Sequence, residues 1–138
     1  MDSGYSLVEG PPALADYLTL RTRAGLSPKT EVQGAAALRG SWCAVHVLAT
    51  DGEAVGMGRV IGDGGWYFHI ADMAVLPAHQ RRGIGDAILT SLIERIRQAA
   101  PSEPYITLLA DEPGHRLYVR HGFIPTAPGS IGMKLSKP

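Results

Sequence analysis

The chain has 138 residues, of which 45% are hydrophobic, and its 13 basic and 13 acidic side chains give a formal net charge of zero. This length suits one domain with its own core, so we expect a single domain over residues 1–138. The balanced charge argues against a nucleic-acid partner, because general nucleic-acid surfaces neutralise many phosphates with an excess of basic residues. The single cysteine, Cys43, excludes an internal disulfide and a cysteine-rich zinc site, and we predict no metal site.

The chain also carries no sequence signal for a membrane. Residues 1–5 lack the basic and apolar regions of a secretory leader. No segment approaches the run of about 20 apolar residues that a membrane span requires. We therefore expect a cytoplasmic protein without a membrane partner.

The first half of the chain predicts two helices and four strands. A short strand over 5–8 precedes a helix from the Gly10-Pro11-Pro12 break to about Ala24, and a weaker helix follows over 29–38. Apolar and β-branched residues then predict strands over 42–49, 53–61 and 66–75. Asp51-Gly52 is a signal for a two-residue hairpin, and Asp63-Gly64-Gly65 turns the chain again. The three later strands should form an antiparallel meander.

The second half begins with a helix over 83–98, which is the clearest periodic pattern in the chain. Its apolar residues are spaced to form one helix face: Ile84, Ile88, Leu89, Leu92, Ile93 and Ile96. After Pro101 and Pro104 we expect a buried strand over 105–109 and a short helix over 113–121 that ends at Gly122. A last strand is predicted over about 131–135. The fold class is therefore α/β (α+β) around a largely antiparallel sheet.

A glycine- and arginine-rich segment at the start of the long helix is the strongest functional signal. It comprises Gln80, Arg81, Arg82, Gly83, Ile84, Gly85, Asp86 and Ala87. Glycines let a ligand approach the backbone, and the first N–H groups of a helix point at it with the positive end of the dipole. Arginines add charge-assisted hydrogen bonds to phosphate oxygens. The segment could also be a solvated helix start with two surface arginines.

Two common glycine-rich phosphate loops do not fit this segment. A dinucleotide-binding loop needs a third glycine where this chain has Ile88. A P-loop needs Gly-Lys-Ser or Gly-Lys-Thr, which occurs nowhere in the chain. Both loops also open a parallel βαβ unit, whereas this segment follows an antiparallel meander.

The sequence resembles the GNAT superfamily of N-acetyltransferases. The pyrophosphate loop of that family, Gln/Arg-x-x-Gly-x-Gly/Ala, matches residues 80–85, and residues 72–75, Asp-Met-Ala-Val, look like the end of its fourth strand. Residues 117–123, Leu-Tyr-Val-Arg-His-Gly-Phe, look like its second motif. The order of elements agrees over nearly the whole chain. The resemblance implies a GNAT fold, with a central mixed, mostly antiparallel sheet of about six to seven strands and about four flanking helices.

The resemblance further implies acetyl-CoA as cosubstrate and no metal. The pyrophosphate would bind the loop residues Gln80, Arg81, Arg82, Gly83, Ile84, Gly85 and Asp86. The pantetheine arm would lie along the backbone of Met73, Ala74 and Val75 like an added strand, since its amides can pair with free backbone groups. Many family members carry an asparagine near the cofactor where this chain has Asp111, which lacks the amide donor.

The resemblance places Tyr118 at the position of the family's general acid. A phenol with an ordinary pKa near ~10 stays protonated at neutral pH and can protonate the departing thiolate of CoA. The alternative for Tyr118 is an amphipathic residue that packs on its short helix.

His69 is the candidate general base, because some family members carry a glutamate or histidine at this place on the strand. An imidazole with an ordinary pKa near ~6.5 could take the ammonium proton through water. A solvent-facing histidine is the alternative. Asp72 has the opposite parity on this strand, so we expect it to point to the other sheet face and to be structural.

The predicted function is an N-acetyltransferase that transfers acetyl from acetyl-CoA to a primary amine of a small molecule or peptide by direct attack. An acyl-CoA-binding sensor or partner module without turnover is the alternative. Trp66 and Tyr67 lie beside the candidate base and could line an aromatic acceptor pocket, although sheet packing also explains them. Family habit suggests a homodimer through the terminal strands.

Overall fold

The computed structural model describes residues 1–137 and shows a mixed α/β fold, as predicted. These residues pack as two compact units, Met1–Leu108 and the segment that begins at Leu109. In the described residues the strands are β1 (Ser6–Glu9), β2 (Cys43–Leu48), β3 (Ala54–Gly62), β4 (Tyr67–Val75) and β5 (Tyr105–Thr107). The helices are α1 (Leu14–Arg23), α2 (Glu31–Gly40), α3 (Ile84–Ala99) and α4 (His115–Arg120), with 3-10 turns over Pro77–His79 and Glu112–Gly114.

The strands form one sheet in the order β1-β2-β3-β4-β5, with β5 parallel to β4 and all other neighbours antiparallel. The predicted meander is confirmed, but the described residues contain five strands instead of six to seven. The predicted strand over 131–135 is wrong: this segment has no ladder in residues 1–137, and Met133 and Leu135 are 85% and 97% exposed. Alternation alone does not make a strand, because a strand also needs a neighbour for its backbone groups.

Two further predictions need correction in detail. Strand β5 ends at Thr107 and is only half-buried, because it pairs with a neighbour on one side. The turn between β2 and β3 is also longer than predicted. Ala49 and Glu53 still pair by a backbone hydrogen bond, so the loop has three residues, and Gly52 takes the left-handed φ of 87° that such a loop requires.

Strand β3 separates the two helical layers by the alternation of its side chains. Its even-numbered positions face α3, whose six predicted apolar residues are all buried. A Cβ added at Gly58 would lie 2.7 Å from Ile88 Cγ2 and 2.7 Å from Met73 Sδ. The odd-numbered Arg59 instead contacts α2 through Ala37 and Ser41. Glycine at position 58 therefore lets α3 approach the sheet closely.

A methyl group at this contact should overpack the core. We expect Gly58→Ala to lower the free energy of unfolding by about 1–3 kcal/mol, because both Ile88 and Met73 must move. The matched control is Gly40→Ala, where a Cβ meets nothing within 4 Å, and it should be neutral or stabilising by up to about 1 kcal/mol. Urea denaturation of both variants measures the difference. Equal stabilities would contradict the close packing.

Strand β4 contains a bulge that places Asp72 differently from the prediction. Met57 pairs with Ala74 but Arg59 pairs with Ala71, so two steps along β3 match three along β4. The extra residue, Asp72, has a left-handed φ of 55°. The bulge shifts the alternation of side chains, so Asp72 points to the same sheet face as Arg59 and His69. The prediction that Asp72 points to the face opposite His69 is therefore wrong.

The Asp72 carboxylate joins helix α1 to strand β3. Its Oδ1 accepts a hydrogen bond from Arg21 Nη1 of α1 at 2.6 Å, and its Oδ2 accepts from Arg59 Nε at 2.6 Å and from Tyr17 Oη at 2.5 Å. Burial raises the pKa of Asp72, but the hydrogen bonds from Tyr17 and Arg59 and the two arginine charges outweigh it, so the pKa lies below its ordinary value. The structural role that the sequence indicated for Asp72 is thus explained by these contacts.

Removing this charge should be costly, because it leaves two largely buried arginines without their carboxylate. We expect Asp72→Asn to lower the free energy of unfolding at pH 7 by about 3–5 kcal/mol. The stabilisation from a lowered carboxyl pKa is present above the ordinary pKa and is lost as pH falls through the folded-state pKa, so the variant should also lose this acid-dependent step. Urea unfolding between pH 3 and pH 7 measures both, with the exposed Glu94→Gln as control. An equal dependence of the free energy of unfolding on pH in the wild type and in Asp72→Asn would contradict the lowered pKa assigned to Asp72.

Candidate active site

The outer edge of β4 is only partly covered by β5. Strand β5 pairs with residues 67–69 and then ends, whereas β3 pairs with β4 as far as Val75. From Ile70 to Val75 this edge has no ladder partner among residues 1–137. The backbone groups of Met73, Ala74 and Val75 therefore belong to a strand edge that an extended ligand could join.

The loop after β4 leads into the N-terminus of α3. Gly83 is the N-cap of α3 with a left-handed φ of 79°, and Arg81 also has a positive φ of 63°. The first intrahelical bond of this turn runs from Ala87 N to the Gly83 carbonyl, so the preceding N–H groups have no acceptor within the helix. Because α3 has 16 residues, its dipole adds to these donors.

The side chains of this loop have different roles. Arg81 and Arg82 are exposed and free to turn toward an anion, while Ile84 is 1% exposed and can offer a ligand only its backbone. Gln80 Nε2 donates to the Val75 carbonyl at 3.1 Å, which ties the loop to the end of β4. The structure therefore brings residues 73–75 and the first loop residue together.

Glycine at position 83 is required for a second reason that the sequence did not reveal. A Cβ there would lie 2.9 Å from both N and Cα of Met1, and Asp2 N donates to the Arg82 carbonyl at 2.9 Å. The first two residues of the chain thus pack on the loop. Both the backbone conformation and this close approach exclude a larger residue without rearrangement.

The loop and the strand edge together fit the two parts of acetyl-CoA. The helix N-terminus, glycines and arginines suit the negative charge of a pyrophosphate. The open edge of β4 offers amide donors and acceptors to the amides of pantetheine. Both features lie within the unit Met1–Leu108.

His69 lies on β4 and is held by the neighbouring strand. Its Nδ1 is 2.9 Å from Thr107 Oγ1, and the Thr107 hydroxyl is placed to donate to the Phe68 carbonyl at 3.4 Å. When the hydroxyl donates there, Nδ1 must carry the proton and Nε2 keeps its lone pair. Burial lowers the pKa of His69, and the positive charge of Arg59 lowers it further, so the imidazole is neutral at pH 7. This is the protonation state that a general base needs.

Tyr118 and Asp111 lie in the second unit, residues 109–137. The Tyr118 ring is half-buried on α4 and packs edge-on against Phe123, with a centroid distance of 6.1 Å. A Cβ at Gly114 would lie 2.9 Å from Tyr118 Cε2, so glycine makes room for the ring. Burial raises the pKa of Tyr118, and the nearby charge of Asp111 raises it further. The phenol is therefore protonated at neutral pH.

Sequence reasoning missed several residues that shape these sites. Thr107 contacts His69 and Gly114 makes room for Tyr118, and both roles depend on neighbours in space. Only a parallel pairing of β5 with β4 would have indicated from the sequence that Thr107 lies beside His69. The role of Asp72 depends on a bulge that no composition signal marks. Residues 1–137 contain no group of three or more His, Cys, Asp or Glu side chains suited to a metal, and no helix there is long and apolar enough to cross a membrane.

Comparison with known proteins identifies the family. Residues 41–125 match a family model described as an acetyltransferase (GNAT) domain. The uncharacterised N-acetyltransferase ycf52 of Pyropia yezoensis is 35% identical over 79 residues, which are 57% of this chain and 44% of that protein. The chain thus matches less than half of the length of this curated relative.

Solved structures agree over a larger share of the chain. The probable acetyltransferase SA2161 of meticillin-resistant Staphylococcus aureus has a TM-score of 0.90 and 38% identity, covering 96% of this chain and 99% of that one. The GNAT family protein SP0256 of Streptococcus pneumoniae has a TM-score of 0.76 and 26% identity, with 96% and 98% covered. The family model and the first of these structures show that this chain belongs to the GNAT family of acetyltransferases.

Proposed function

We propose that this GNAT family member transfers an acetyl group from acetyl-CoA to a primary amine by direct attack of the amine. The observation that carries this proposal is the open edge of β4, which leads directly into a left-handed glycine loop at the N-terminus of α3. Each feature alone has a structural explanation. Together they form a linear site for amide groups followed by phosphates.

The cosubstrate is bound mainly by backbone N–H and C=O groups. Residues 73–75 pair with the pantetheine arm, and the N–H groups of residues 81–86 bind the pyrophosphate while Arg81 and Arg82 add charge. The Gln80 contact with the Val75 carbonyl keeps strand and loop in register. Asp111 offers no amide donor, so its contact with the cosubstrate is weakened.

His69 prepares the amine for attack. A free alkylamine is mostly protonated at pH 7, since lysine-like amines titrate near ~10.4. The lowered pKa of His69 keeps Nε2 available to accept the ammonium proton, directly or through one water. The Thr107 hydroxyl fixes the ring orientation.

Tyr118 serves as general acid toward the leaving thiolate. Its raised pKa keeps the proton on the phenol until a strong base, the departing thiolate, is formed. Backbone N–H groups near Val75 stabilise the oxyanion that develops on the thioester carbonyl.

The proposed activity is tested by following free thiol while the protein is incubated with acetyl-CoA and a panel of primary amines. We expect thiol release with at least one amine, and a fall in kcat of about 100-fold or more in Tyr118→Phe, which removes the proton donor but keeps the ring. The dissociation constant for CoA should be unchanged in this variant. Saturable CoA binding without thiol release from any amine would instead support an acyl-CoA-binding module without turnover.

The role of His69 predicts a pH dependence. The imidazole cannot accept a proton once it is protonated, so kcat should fall with decreasing pH, with an apparent pKa below the ordinary 6.5 of histidine. In His69→Gln this limb should disappear and kcat at pH 7.5 should fall by about 100-fold. Initial rates between pH 5 and pH 9 at saturating substrates measure this. The exposed His115→Gln is the control, and an unchanged acid limb in His69→Gln would exclude His69 as the base.

A further inference from the structure

We propose that the acceptor is a diamine, and that its second, non-reacting ammonium binds a site formed by Asp63, Trp66, Tyr67 and Tyr105. This inference rests on the proposed acetyl transfer and names the substrate class. The site lies at the start of β4, two residues before His69. It combines exposed aromatic rings with a carboxylate, which is the chemistry that holds an organic cation in water.

The three rings form one exposed cluster. Tyr67 and Tyr105 are direct partners in the β4–β5 ladder, with an edge-on contact at a centroid distance of 5.2 Å, and Trp66 contacts Tyr67 at 5.3 Å. Trp66 is 58% exposed, and the two tyrosines are 44% and 45% exposed. Three large rings that pack on one another and leave about half of their surface to solvent form a contiguous exposed apolar patch, which is typical of a binding site.

Asp63 supplies the negative charge. Its Oδ1 accepts three backbone hydrogen bonds, from the N–H groups of Gly65, Trp66 and Tyr67, at 2.7 to 3.2 Å. These bonds lower the pKa of Asp63, so the carboxylate is ionised at neutral pH and fixed on the turn that carries Trp66. Within residues 1–137 no arginine, lysine or histidine forms an ion pair with it.

The strand register places this site on the sheet face of His69. Ile61 pairs with His69, and two residues later Asp63 N donates to the Tyr67 carbonyl, so Asp63 lies beside Tyr67, whose side chain shares the sheet face of His69. Tyr67 and His69 are two residues apart, which corresponds to about 7 Å along a strand. That distance is spanned by about five to six bonds of an extended carbon chain, as in a diamine with four or five carbons between its nitrogens.

The charges along this face favour a different protonation state for each of the two nitrogens of such a ligand. Near His69 lies the positive charge of Arg59, and this charge is only partly compensated because Arg59 shares the Asp72 carboxylate with Arg21. That positive charge disfavours an ammonium and so favours the neutral, reactive amine there. At the other end Asp63 and the rings favour the ammonium that does not react. An apolar amine without a second charge would use the rings but gain nothing from Asp63.

The test compares 1,5-diaminopentane with pentylamine, which has the same chain and one nitrogen fewer. Calorimetric titration of the whole chain in the presence of CoA gives both dissociation constants without any turnover. We expect the diamine to bind about tenfold tighter than pentylamine. Asp63→Asn and Trp66→Leu should each reduce this ratio of dissociation constants by about five- to tenfold. Asp63→Asn keeps an oxygen for the backbone bonds of the turn. The control, Asp51→Asn, changes a carboxylate that caps the β2–β3 turn through Glu53 N and should leave the preference unchanged.

Equal binding of the two amines, or a preference that survives both Asp63→Asn and Trp66→Leu, would overturn the diamine site. Thiol release is measured in parallel assays, so that a failure of the diamine site can be distinguished from a failure of the proposed acetyl transfer. Release from amines without any diamine preference would leave acetyl transfer standing and remove the diamine inference. A diamine preference that depends on Asp63, without thiol release from any amine, would support the cation site and exclude the transfer reaction.

Discussion

The position of the Asp72 carboxylate is the constraint on which the rest of the site depends. One largely buried anion receives hydrogen bonds from α1, through Tyr17 and Arg21, and from β3, through Arg59. Arg59 extends the connection to α2 through the Ala37 carbonyl at 3.4 Å and through Ser41 Oγ, just after the helix, at 3.3 Å. Because Asp72 is itself the extra residue of the β4 bulge, these bonds also stabilise its left-handed backbone, which an aspartate adopts at some cost. The helical layer and the irregular strand therefore stabilise each other, and residues 73–75 follow directly after the point that is fixed.

The two irregularities of β4 act on opposite edges of the strand. On the β3 side the bulge changes the alternation between Ala71 and Ala74 without ending the pairing. On the other side β5 ends at Thr107, opposite His69, so the ladder stops where the candidate base begins the open edge. A regular, fully paired strand would satisfy its own backbone and leave nothing for a ligand's amides to bind. The site thus results from pairing that is incomplete on one edge and from a bulge that keeps the strand in place on the other.

The sequence predicted what local chemistry determines. Helix α3 follows from apolar spacing and the β2–β3–β4 meander from turn residues. It did not predict features that depend on neighbours in space. Nothing local distinguishes the alternating segment 131–135, which lacks a ladder among residues 1–137, from a paired strand. The bulge at Asp72 reversed the inferred face because strand parity holds only while pairing is regular. Gly83 was expected to let a ligand approach the backbone, but its contact with Met1 could come only from the structure.

The proposed acid and base roles rest on local environments that shift two ordinary pKa values in opposite directions. His69 is partly buried beside an arginine, and both effects disfavour its charged form, so it is a proton acceptor at pH 7. Tyr118 is partly buried near a carboxylate, and both effects disfavour the phenolate, so it is a proton donor. Asp111, which stands where many family members carry an asparagine, adds a negative charge that raises the pKa of Tyr118. Each local charge, Arg59 near the histidine and Asp111 near the tyrosine, shifts the pKa of its neighbour in the direction that the proposed role of that neighbour requires.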